Sequence, residues 1–225
     1  MPTVTVVIPA YNETDRIVDT IKAVKKINNI DEIIVMNDGS TDDTSDKAKA
    51  EGVTVVDLNP NRGKGGAMNA ALPYIKTDVV AFLDGDLGAA AGEAGKIIKP
   101  VVEGIADLCI ASFPPPKKKG GFGIVKGTAA WAIRKVGKIE ATAPLSGQRA
   151  MTIEVLRTVT PFHEGYGVEL GMSINALLHG FRLMEVPTTM THKETGRDLK
   201  GFIHRGRQFI DVVRVIRRET RGRKY

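Results

Sequence analysis

A pair of aspartates near the middle of the chain directly follows a run of apolar residues. Val79–Leu83 (VVAFL) leads into Asp84, Gly85 and Asp86. A buried strand that ends in this way delivers carboxylates to the C-terminal edge of a sheet, where open α/β sheets bind their ligands. Two carboxylates there suit Mg²⁺ or Mn²⁺, and either cation suits a diphosphate. Asp-x-Asp also occurs in ordinary acidic turns, so the motif alone does not indicate a metal site. Its interpretation depends on the segments around it.

Three other polar segments follow predicted strands in the first half of the chain. The strands are Thr3–Ile8, which Pro9 is expected to end, Glu32–Met36 and Val53–Leu58, and they are followed by PAYNE (9–13), NDGSTDDT (37–44) and a glycine-rich basic loop (59–66). Helices are predicted between them at 13–26, 41–50 and 67–75. This β-α-β-α-β-α-β order predicts a parallel sheet with right-handed crossovers. All four strand ends should therefore meet at one edge of the sheet.

The second half of the chain is less regular. Helices are predicted at 90–103, 124–139, 166–179 and 201–219, strands at 107–112 and 182–186, a turn and short strand at 144–151, and a mobile loop of prolines, lysines and glycines at 114–121. The last helix is basic and amphipathic. Since neither an internal repeat nor a domain linker is visible, we expect a single α/β domain over residues 1–225.

The composition is that of a globular protein with a basic C-terminal tail. Of the 225 residues 42% are hydrophobic, the net charge is +6, and residues 193–225 hold 11 basic and 4 acidic side chains. Such a tail can meet phosphates of nucleotides, nucleic acid or anionic lipid. The single cysteine, Cys109, lies in an apolar run, which favours a buried hydrophobic role over a nucleophile. We see no signal peptide and no apolar stretch of about 18 residues, and therefore expect a cytoplasmic protein.

Together the four strand ends resemble the family 2 nucleotide-sugar glycosyltransferases of the GT-A fold. The resemblance covers residues 4–90. It implies a Rossmann-like, mainly parallel central sheet flanked by helices. It also implies a nucleotide-binding half at 1–90 and an acceptor and metal half at 91–200, and the basic amphipathic C-terminal helix predicted from the residues follows at 201–225.

The resemblance assigns nucleotide-sugar binding to residues at these strand ends. The residues are Pro9, Ala10, Tyr11, Glu13, Asp38, Gly63, Lys64, Asp84, Gly85 and Asp86. By this analogy Asp84 would touch ribose or metal-bound water, and Asp86 would bind the metal directly. The ring of Tyr11 can lie against a base, and Asp38 matches the acid that recognises the base edge, commonly uracil.

Plainer structural roles are open for several of these residues. Asp38 and Asp42 fit an Asx turn and a helix cap, and Glu13 fits a cap of the helix that it begins. In the family, Glu13 would instead accept hydrogen bonds from ribose hydroxyls. Lys64 lies where glycines allow close backbone approach, so it can contact base or diphosphate.

The back half resembles glucosyl-3-phosphoglycerate synthases, and similar patterns occur in polyprenyl-phosphate sugar transferases. The segments are PLSGQRA (144–150), GYGVELG (165–171) and THK (191–193). Candidate acceptor or sugar-binding residues here are Ser146, Gly147, Gln148 and Arg197. Glu169 matches an acid near sugar and acceptor and is the candidate catalytic residue. His192 matches a histidine that completes the metal site with Asp86, which tilts the choice of cation to Mn²⁺. The remaining histidines are left as structural or surface residues.

These resemblances imply a metal-dependent glycosyltransferase that moves a hexose to an acceptor hydroxyl or phosphate. The expected donor is UDP-glucose, with GDP-mannose open, and the cofactor is Mn²⁺ or Mg²⁺. In an inverting enzyme Glu169 would be the general base, whereas in a retaining enzyme it would orient sugar or acceptor. The sequence points both ways on stereochemistry.

The acceptor and the partners stay open. One acceptor is a small phosphorylated acid. The other is a lipid phosphate or envelope-glycan precursor, reached through peripheral contact of helix 201–219 with the inner membrane face. That helix can instead pack on the fold or form a homodimer. A non-catalytic nucleotide-sugar binder is the alternative of another class, and the few aromatic residues in the tail argue against nucleic acid.

Overall fold

A single mixed sheet forms the centre of the structure. The computed structural model describes residues 1–113, 124–162 and 167–190, together with Val213 and Ile216. Within these residues the strands are β1 Val4–Ala10, β2 Glu32–Asn37, β3 Thr54–Asp57, β4 Val79–Phe82, β5 Leu108–Ser112, β6 Arg149–Thr152 and β7 Leu183–Pro187. They are ordered β3-β2-β1-β4-β6-β5-β7.

Most neighbouring strands run parallel. β1 pairs in parallel with β2 and β4, β2 with β3, and β5 with β7, whereas β6 runs antiparallel to both β4 and β5. The sequence prediction of an α/β fold with a mainly parallel sheet is confirmed. The carboxyl ends of β1, β2 and β4 therefore meet at one edge, as expected of parallel neighbours.

Helices cover both faces of this sheet. They are α1 Ile17–Lys25, α2 Thr44–Ala50, α3 Gly63–Ala71, α4 Gly95–Val102, α5 Ile124–Gly137, α6 Ile153–Val159 and α7 Val168–Leu178, with 3₁₀ helices at Leu72–Tyr74 and Gly88–Ala94. Alternate residues of β1 enter opposite cores, because successive strand side chains point to opposite faces. Val6 packs in the same cluster as Ile21 of α1, and Val7 in the same cluster as Met68 of α3.

Two predicted boundaries near the candidate site were wrong. Pro9 does not end the first strand, because β1 continues to Ala10, whose carbonyl accepts a 2.9 Å hydrogen bond from the amide of Asp38. Residues 63–66 are not a loop but the first turn of α3. Glycine disfavours helices intrinsically, so the pattern predicted a loop. Hydrogen bonds of the Asn61 side chain outweigh this preference of glycine. It accepts one from the Gly63 amide and donates one to the Asp38 carbonyl.

A smaller apolar cluster lies between α5 and α7. Ile133 and Ile174 are buried there, and Ile216 packs against them. This contact agrees with the plainer interpretation of the C-terminal segment, in which its apolar face packs on the fold. The rest of the predicted helix 201–219 and the predicted loop 114–121 lie outside the described residues. In the part of the chain that is described, no helix has the length and apolar character needed to cross a membrane.

Candidate functional site

A pocket of about 280 Å³ lies at the carboxyl ends of β1, β2 and β4. Its lining residues are Pro9, Ala10, Tyr11, Glu13, Asp38, Lys64, Ala67, Asp84, Gly85 and Asp86. The structure therefore brings together all the residues predicted to bind the nucleotide sugar except Gly63, which is exposed beside the pocket. Ala67 is an additional lining residue that the sequence did not single out.

Two lining residues of the pocket, Tyr11 and Asp38, have the chemistry to bind a planar heterocycle. Tyr11 is 49% exposed and lines the pocket, so its ring is accessible from there. Asp38 is buried, and its Oδ1 accepts a 2.8 Å hydrogen bond from the amide of Arg62. This bond fixes the Asp38 carboxylate against the start of α3. A fixed carboxylate beside an accessible ring can select a base that presents an N–H group.

The neighbouring acid, Asp42, ties loops together and does not line the pocket. Its Oδ1 accepts a 3.0 Å bond from the Thr44 amide, and its Oδ2 accepts a 3.3 Å bond from the Thr14 amide. The Thr44 hydroxyl in turn accepts from the amide of Glu13. Burial raises the pKa of Asp42, but these hydrogen bonds outweigh it and leave the pKa below its usual value. Asp42 therefore has a structural role, but it closes an Asx turn before α2 and is not the helix cap that was considered, because the N-cap residue is Asp43.

The turn that carries Asp84 and Asp86 is anchored by α1. The buried hydroxyl of Thr20 lies 2.8 Å from the Gly85 carbonyl and accepts a 2.8 Å bond from the Gly88 amide. An added Cβ at Gly85 would lie 3.2 Å from the Ala10 Cβ, so the turn packs directly on β1. Sequence reasoning missed Thr20, because a lone threonine inside a helix carries no local signal for a contact with a distant turn.

The two aspartates of this turn have different surroundings. Asp84 Oδ1 lies 2.7 Å from Lys64 Nζ, and Asp84 Oδ2 accepts a 2.8 Å hydrogen bond from Gln148 Nε2. Asp86 Oδ1 is buried and has no hydrogen-bond partner within the described residues. Leaving a buried carboxylate oxygen unsatisfied is costly, and a divalent cation would satisfy it. The donor chemistry therefore fits a metal ion at Asp86.

Protein ligands alone do not complete a metal site in the described ranges. No group of three or more His, Cys, Asp or Glu side chains there could hold a metal ion. His192, the second predicted metal ligand, lies outside these ranges, as does Arg197. A cation at Asp86 would draw its other ligands from such residues, from water or from the oxygen atoms of a diphosphate.

Lys64 connects the two halves of the site. Its Nζ lies 3.0 Å from Oε1 of Glu169, in the first turn of α7, as well as 2.7 Å from Asp84. Burial lowers the pKa of Lys64, but the two carboxylates outweigh it, so the pKa is raised and the ammonium stays charged. Gly147 lies directly against this pair, since an added Cβ would be 3.1 Å from Asp84 Oδ2 and closer still to Lys64 Nζ.

The predicted acceptor residues that the structure describes are buried beside this lysine. Ser146, Gly147 and Gln148 immediately precede β6, and the Ser146 hydroxyl lies 3.4 Å from Gln148 Oε1. The candidate catalytic Glu169 is mostly buried, with 13% of its side chain exposed. Cys109 is fully buried in β5, and burial raises the pKa of its thiol to about 12, as expected of an inert core residue.

The chain matches a known family over more than half of its length. Residues 5–146 match the sequence model of glycosyl transferase family 2. Glycosyltransferase AglJ of Haloferax volcanii is 30% identical over 210 residues, which cover 88% of this chain and 67% of that protein. Glucosyl-3-phosphoglycerate synthase of Mycolicibacterium smegmatis is 32% identical over 193 residues, covering 77% of this chain and 63% of the synthase. The chain thus spans less than two thirds of that enzyme's length.

The fold is also similar to a solved enzyme structure. The crystal structure of glucosyl-3-phosphoglycerate synthase from Mycobacterium tuberculosis in complex with Mn²⁺, UDP and phosphoglyceric acid superposes with a TM-score of 0.81. The two sequences are 26% identical, and the match covers 99% of this chain and 80% of that one. Sequence match, relatives and fold confirm the resemblance found in the motifs. This chain belongs to glycosyl transferase family 2 and is a glycosyltransferase with the GT-A fold.

Proposed function

We propose that this enzyme transfers glucose from UDP-glucose to a hydroxyl group of a small phosphorylated acid, with Mn²⁺ or Mg²⁺ as cofactor. The observation that carries the proposal is the pocket at the sheet edge. It combines an accessible aromatic ring, a fixed buried carboxylate and the unsatisfied oxygen of Asp86. These are the groups that a nucleoside and a metal-bound diphosphate require.

The nucleoside would lie between Tyr11 and Asp38. An aromatic ring stacks on any base. The Tyr11 ring would therefore contribute affinity, and the Asp38 carboxylate would determine which base is bound. Uracil has an imide N–H that can donate a hydrogen bond to a carboxylate, whereas the corresponding nitrogen of cytosine carries no hydrogen. Asp38 therefore supports a uridine nucleotide as donor.

The diphosphate would lie between Asp86 and the start of α3. Asp86 and, outside the described residues, His192 would hold the cation. When bound, the cation would act as a Lewis acid that neutralises the leaving diphosphate. Lys64 lies in the first turn of α3, where the helix N-terminus and its own charge both favour an anion.

Glu169 would face the transferred sugar and the acceptor. Its carboxylate is held by Lys64, which is also bonded to Asp84 on the donor side. In the reaction the bond between the sugar C1 and the UDP oxygen breaks, and a C1–oxygen bond to the acceptor forms. The acceptor proton would pass to Glu169 in an inverting enzyme. In a retaining enzyme Glu169 would orient the reactants, and the acceptor proton would pass to an oxygen of the leaving UDP.

The phosphorylated acceptor is supported by similarity to the two glucosyl-3-phosphoglycerate synthases. A direct test measures UDP release from UDP-glucose and Mn²⁺ with either 3-phosphoglycerate or undecaprenyl phosphate in detergent micelles. We expect 3-phosphoglycerate to raise the rate about tenfold or more over the acceptor-free rate. Stimulation by the lipid phosphate alone would replace the proposed acceptor, and UDP release insensitive to both would contradict a transferase for either.

Glu169→Gln provides the matching test of the catalytic role. It should lower kcat for transfer by about a hundredfold, in the range of general-base contributions, with a small effect on UDP binding. Glu154→Gln, an exposed change in the first turn of α6, is the control. Equal losses in kcat and UDP affinity would mean that Glu169 is structural.

A further inference from the structure

The loop at residues 142–148 is held from both ends by charged residues that the proposed chemistry does not use. Arg149 lies at its C-terminal end, and Glu185 lies on β7, far away in sequence. We propose that Arg149 and Glu185 are positioning residues that fix this loop against the donor pocket and thereby determine affinity for the sugar moiety of the donor. The proposal deepens the proposed function and rests on it.

Arg149 is completely buried, and its side chain donates hydrogen bonds to main-chain carbonyls of the loop. Its Nε donates to the Ser146 carbonyl at 2.8 Å, and its Nη2 donates to the Pro144 carbonyl at 3.1 Å. Burial lowers the pKa of Arg149 to about 10, while Glu169 and Glu185 oppose that shift, so the guanidinium is charged at neutral pH. The guanidinium is planar and its N–H groups have fixed directions. Bonding to the carbonyls of Pro144 and Ser146 together therefore restrains the conformation of the loop.

The direction of these bonds decides where the loop amides point. In a trans peptide the N–H group points opposite to the carbonyl. Because the carbonyls of Pro144 and Ser146 turn toward Arg149, the amides of Leu145 and Gly147 turn away from it. The Gly147 position abuts Lys64 and Asp84, two residues that line the donor pocket. The Gly147 amide, on the face of the loop away from Arg149, is thus the backbone donor that we propose for the sugar.

Glu185 performs the complementary task at the other end of the loop. Its carboxylate accepts from the Thr142 amide at 3.0 and 2.8 Å, from the Thr142 hydroxyl at 2.5 Å and from the Ala143 amide at 2.9 Å. The Glu185 carboxylate thus accepts hydrogen bonds from amides at one end of the loop, and the Arg149 guanidinium donates hydrogen bonds to carbonyls at the other end. Bonds to charged groups are stronger than neutral ones, so the two ends together restrain the segment between them.

The same arginine also reaches the helix that carries the candidate catalytic residue. Arg149 Nη1 donates to the Ser173 hydroxyl at 2.8 Å, and this hydroxyl donates to the Glu169 carbonyl at 3.0 Å. The loop itself reaches the donor side through the Gln148–Asp84 hydrogen bond of 2.8 Å. Arg149 therefore lies where movement of the loop and movement of Glu169 would be linked.

The test separates binding of the sugar from binding of the nucleotide. Dissociation constants of UDP and of UDP-glucose with Mn²⁺ are measured by calorimetry for the wild type, Arg149→Lys, Arg149→Met and Glu185→Gln. Arg182→Met is the matched control, because it also removes an arginine that makes several hydrogen bonds, here to Asp107 and Gly104, away from the loop. Hydrogen exchange of the 142–148 amides reports loop order independently of activity.

We expect faster exchange in the loop, UDP affinity within about twofold of wild type, and UDP-glucose affinity about tenfold weaker. Arg149→Lys should be intermediate, because lysine keeps the charge without the fork. Glu185→Gln keeps the test valid if Arg149→Met does not fold.

Three results would overturn the proposal. Unchanged UDP-glucose affinity despite faster loop exchange would exclude a positioning role, and the proposed function would stand. Equal weakening of UDP and UDP-glucose would indicate general destabilisation only. A wild-type protein that binds neither ligand would refute the proposed function, and the positioning role with it.

Discussion

At the scale of single residues, the two acids of one short motif have different surroundings. Asp84 forms an ion pair with Lys64 and accepts a hydrogen bond from Gln148. Its two oxygens thus hold these side chains in place. Asp86 keeps a buried oxygen without a hydrogen-bond partner in the described structure. A protein tolerates such a group at a functional site, where stability is traded against ligand binding.

This contrast leads to a prediction for Asp86→Asn. Replacing the carboxylate should raise the melting temperature of the ligand-free protein, because a buried, charged oxygen without a hydrogen-bond partner is costly. The same change should weaken Mn²⁺-dependent UDP binding by about tenfold or more, through loss of a hard anionic ligand. Thermal melts and calorimetry check both effects, with the exposed Asp46→Asn as control. Unchanged Mn²⁺ dependence would remove Asp86 from the metal site.

A second prediction concerns Gly147→Ala. The new methyl group would displace the end of the flexible Lys64 side chain, so the fold should survive while the Lys64 ion pairs with Asp84 and Glu169 break. We expect a small change in melting temperature and a loss of about tenfold to a hundredfold in kcat/KM, since small displacements of catalytic groups are expensive. Gly127→Ala in α5, where nothing lies near the added methyl group, should leave activity unchanged. Full activity of Gly147→Ala would contradict the role given to Lys64.

At the scale of elements, the strand ends are joined by side chains that act across the sheet edge. Asp57, at the end of β3, accepts hydrogen bonds from Asn37 of β2 and from Ser45 and Lys49 of α2. These bonds hold the turn that carries Asp38. Helix α3 then begins beside that turn, where Asn61 and Arg62 bond to Asp38.

Asp57 also gives a prediction for pH dependence. Hydrogen bonds from Lys49, Ser45 and Asn37 lower its pKa to about 2, from the usual 3.8 of an aspartate side chain. A lowered folded-state pKa means that its stabilisation is present above the unfolded pKa and is lost as pH falls through the folded pKa. The melting temperature of Asp57→Asn should therefore lie below wild type at neutral pH, and the gap should narrow between pH 3.8 and about 2. A gap that stays constant over this range, relative to an exposed Asp15→Asn control, would contradict the assignment.

At the scale of the whole molecule, parallel and antiparallel pairing together produce the site. The parallel half, β3-β2-β1-β4, brings the donor residues to one edge. β6 then runs antiparallel to β4, so the segment that enters β6 reaches the edge that β4 leaves. This pairing brings Gln148 to Asp84 and Gly147 to Lys64.

The sequence predicts local features of this arrangement well and distant contacts poorly. Apolar strands that end in polar motifs predicted the four strand ends and hence the pocket lining. The start of α3 was missed because its glycines disfavour a helix, and the contact between Asn61 and Asp38 that overrides them is tertiary. Thr20 and Glu185 bond to segments far away in sequence, so nothing beside them in the chain marks their roles.

The donor site is tested most directly by release of the nucleoside diphosphate from a panel of UDP-sugars and GDP-sugars, with Mn²⁺, Mg²⁺ or EDTA and no added acceptor. We predict slow hydrolysis of UDP-glucose that requires a divalent cation, stops with EDTA, and is lost in Asp86→Asn. Preference for a guanosine donor would contradict the assignment of UDP-glucose as the donor. Absence of metal-dependent UDP binding and of hydrolysis for every nucleotide sugar would contradict the assignment of the pocket as a donor site.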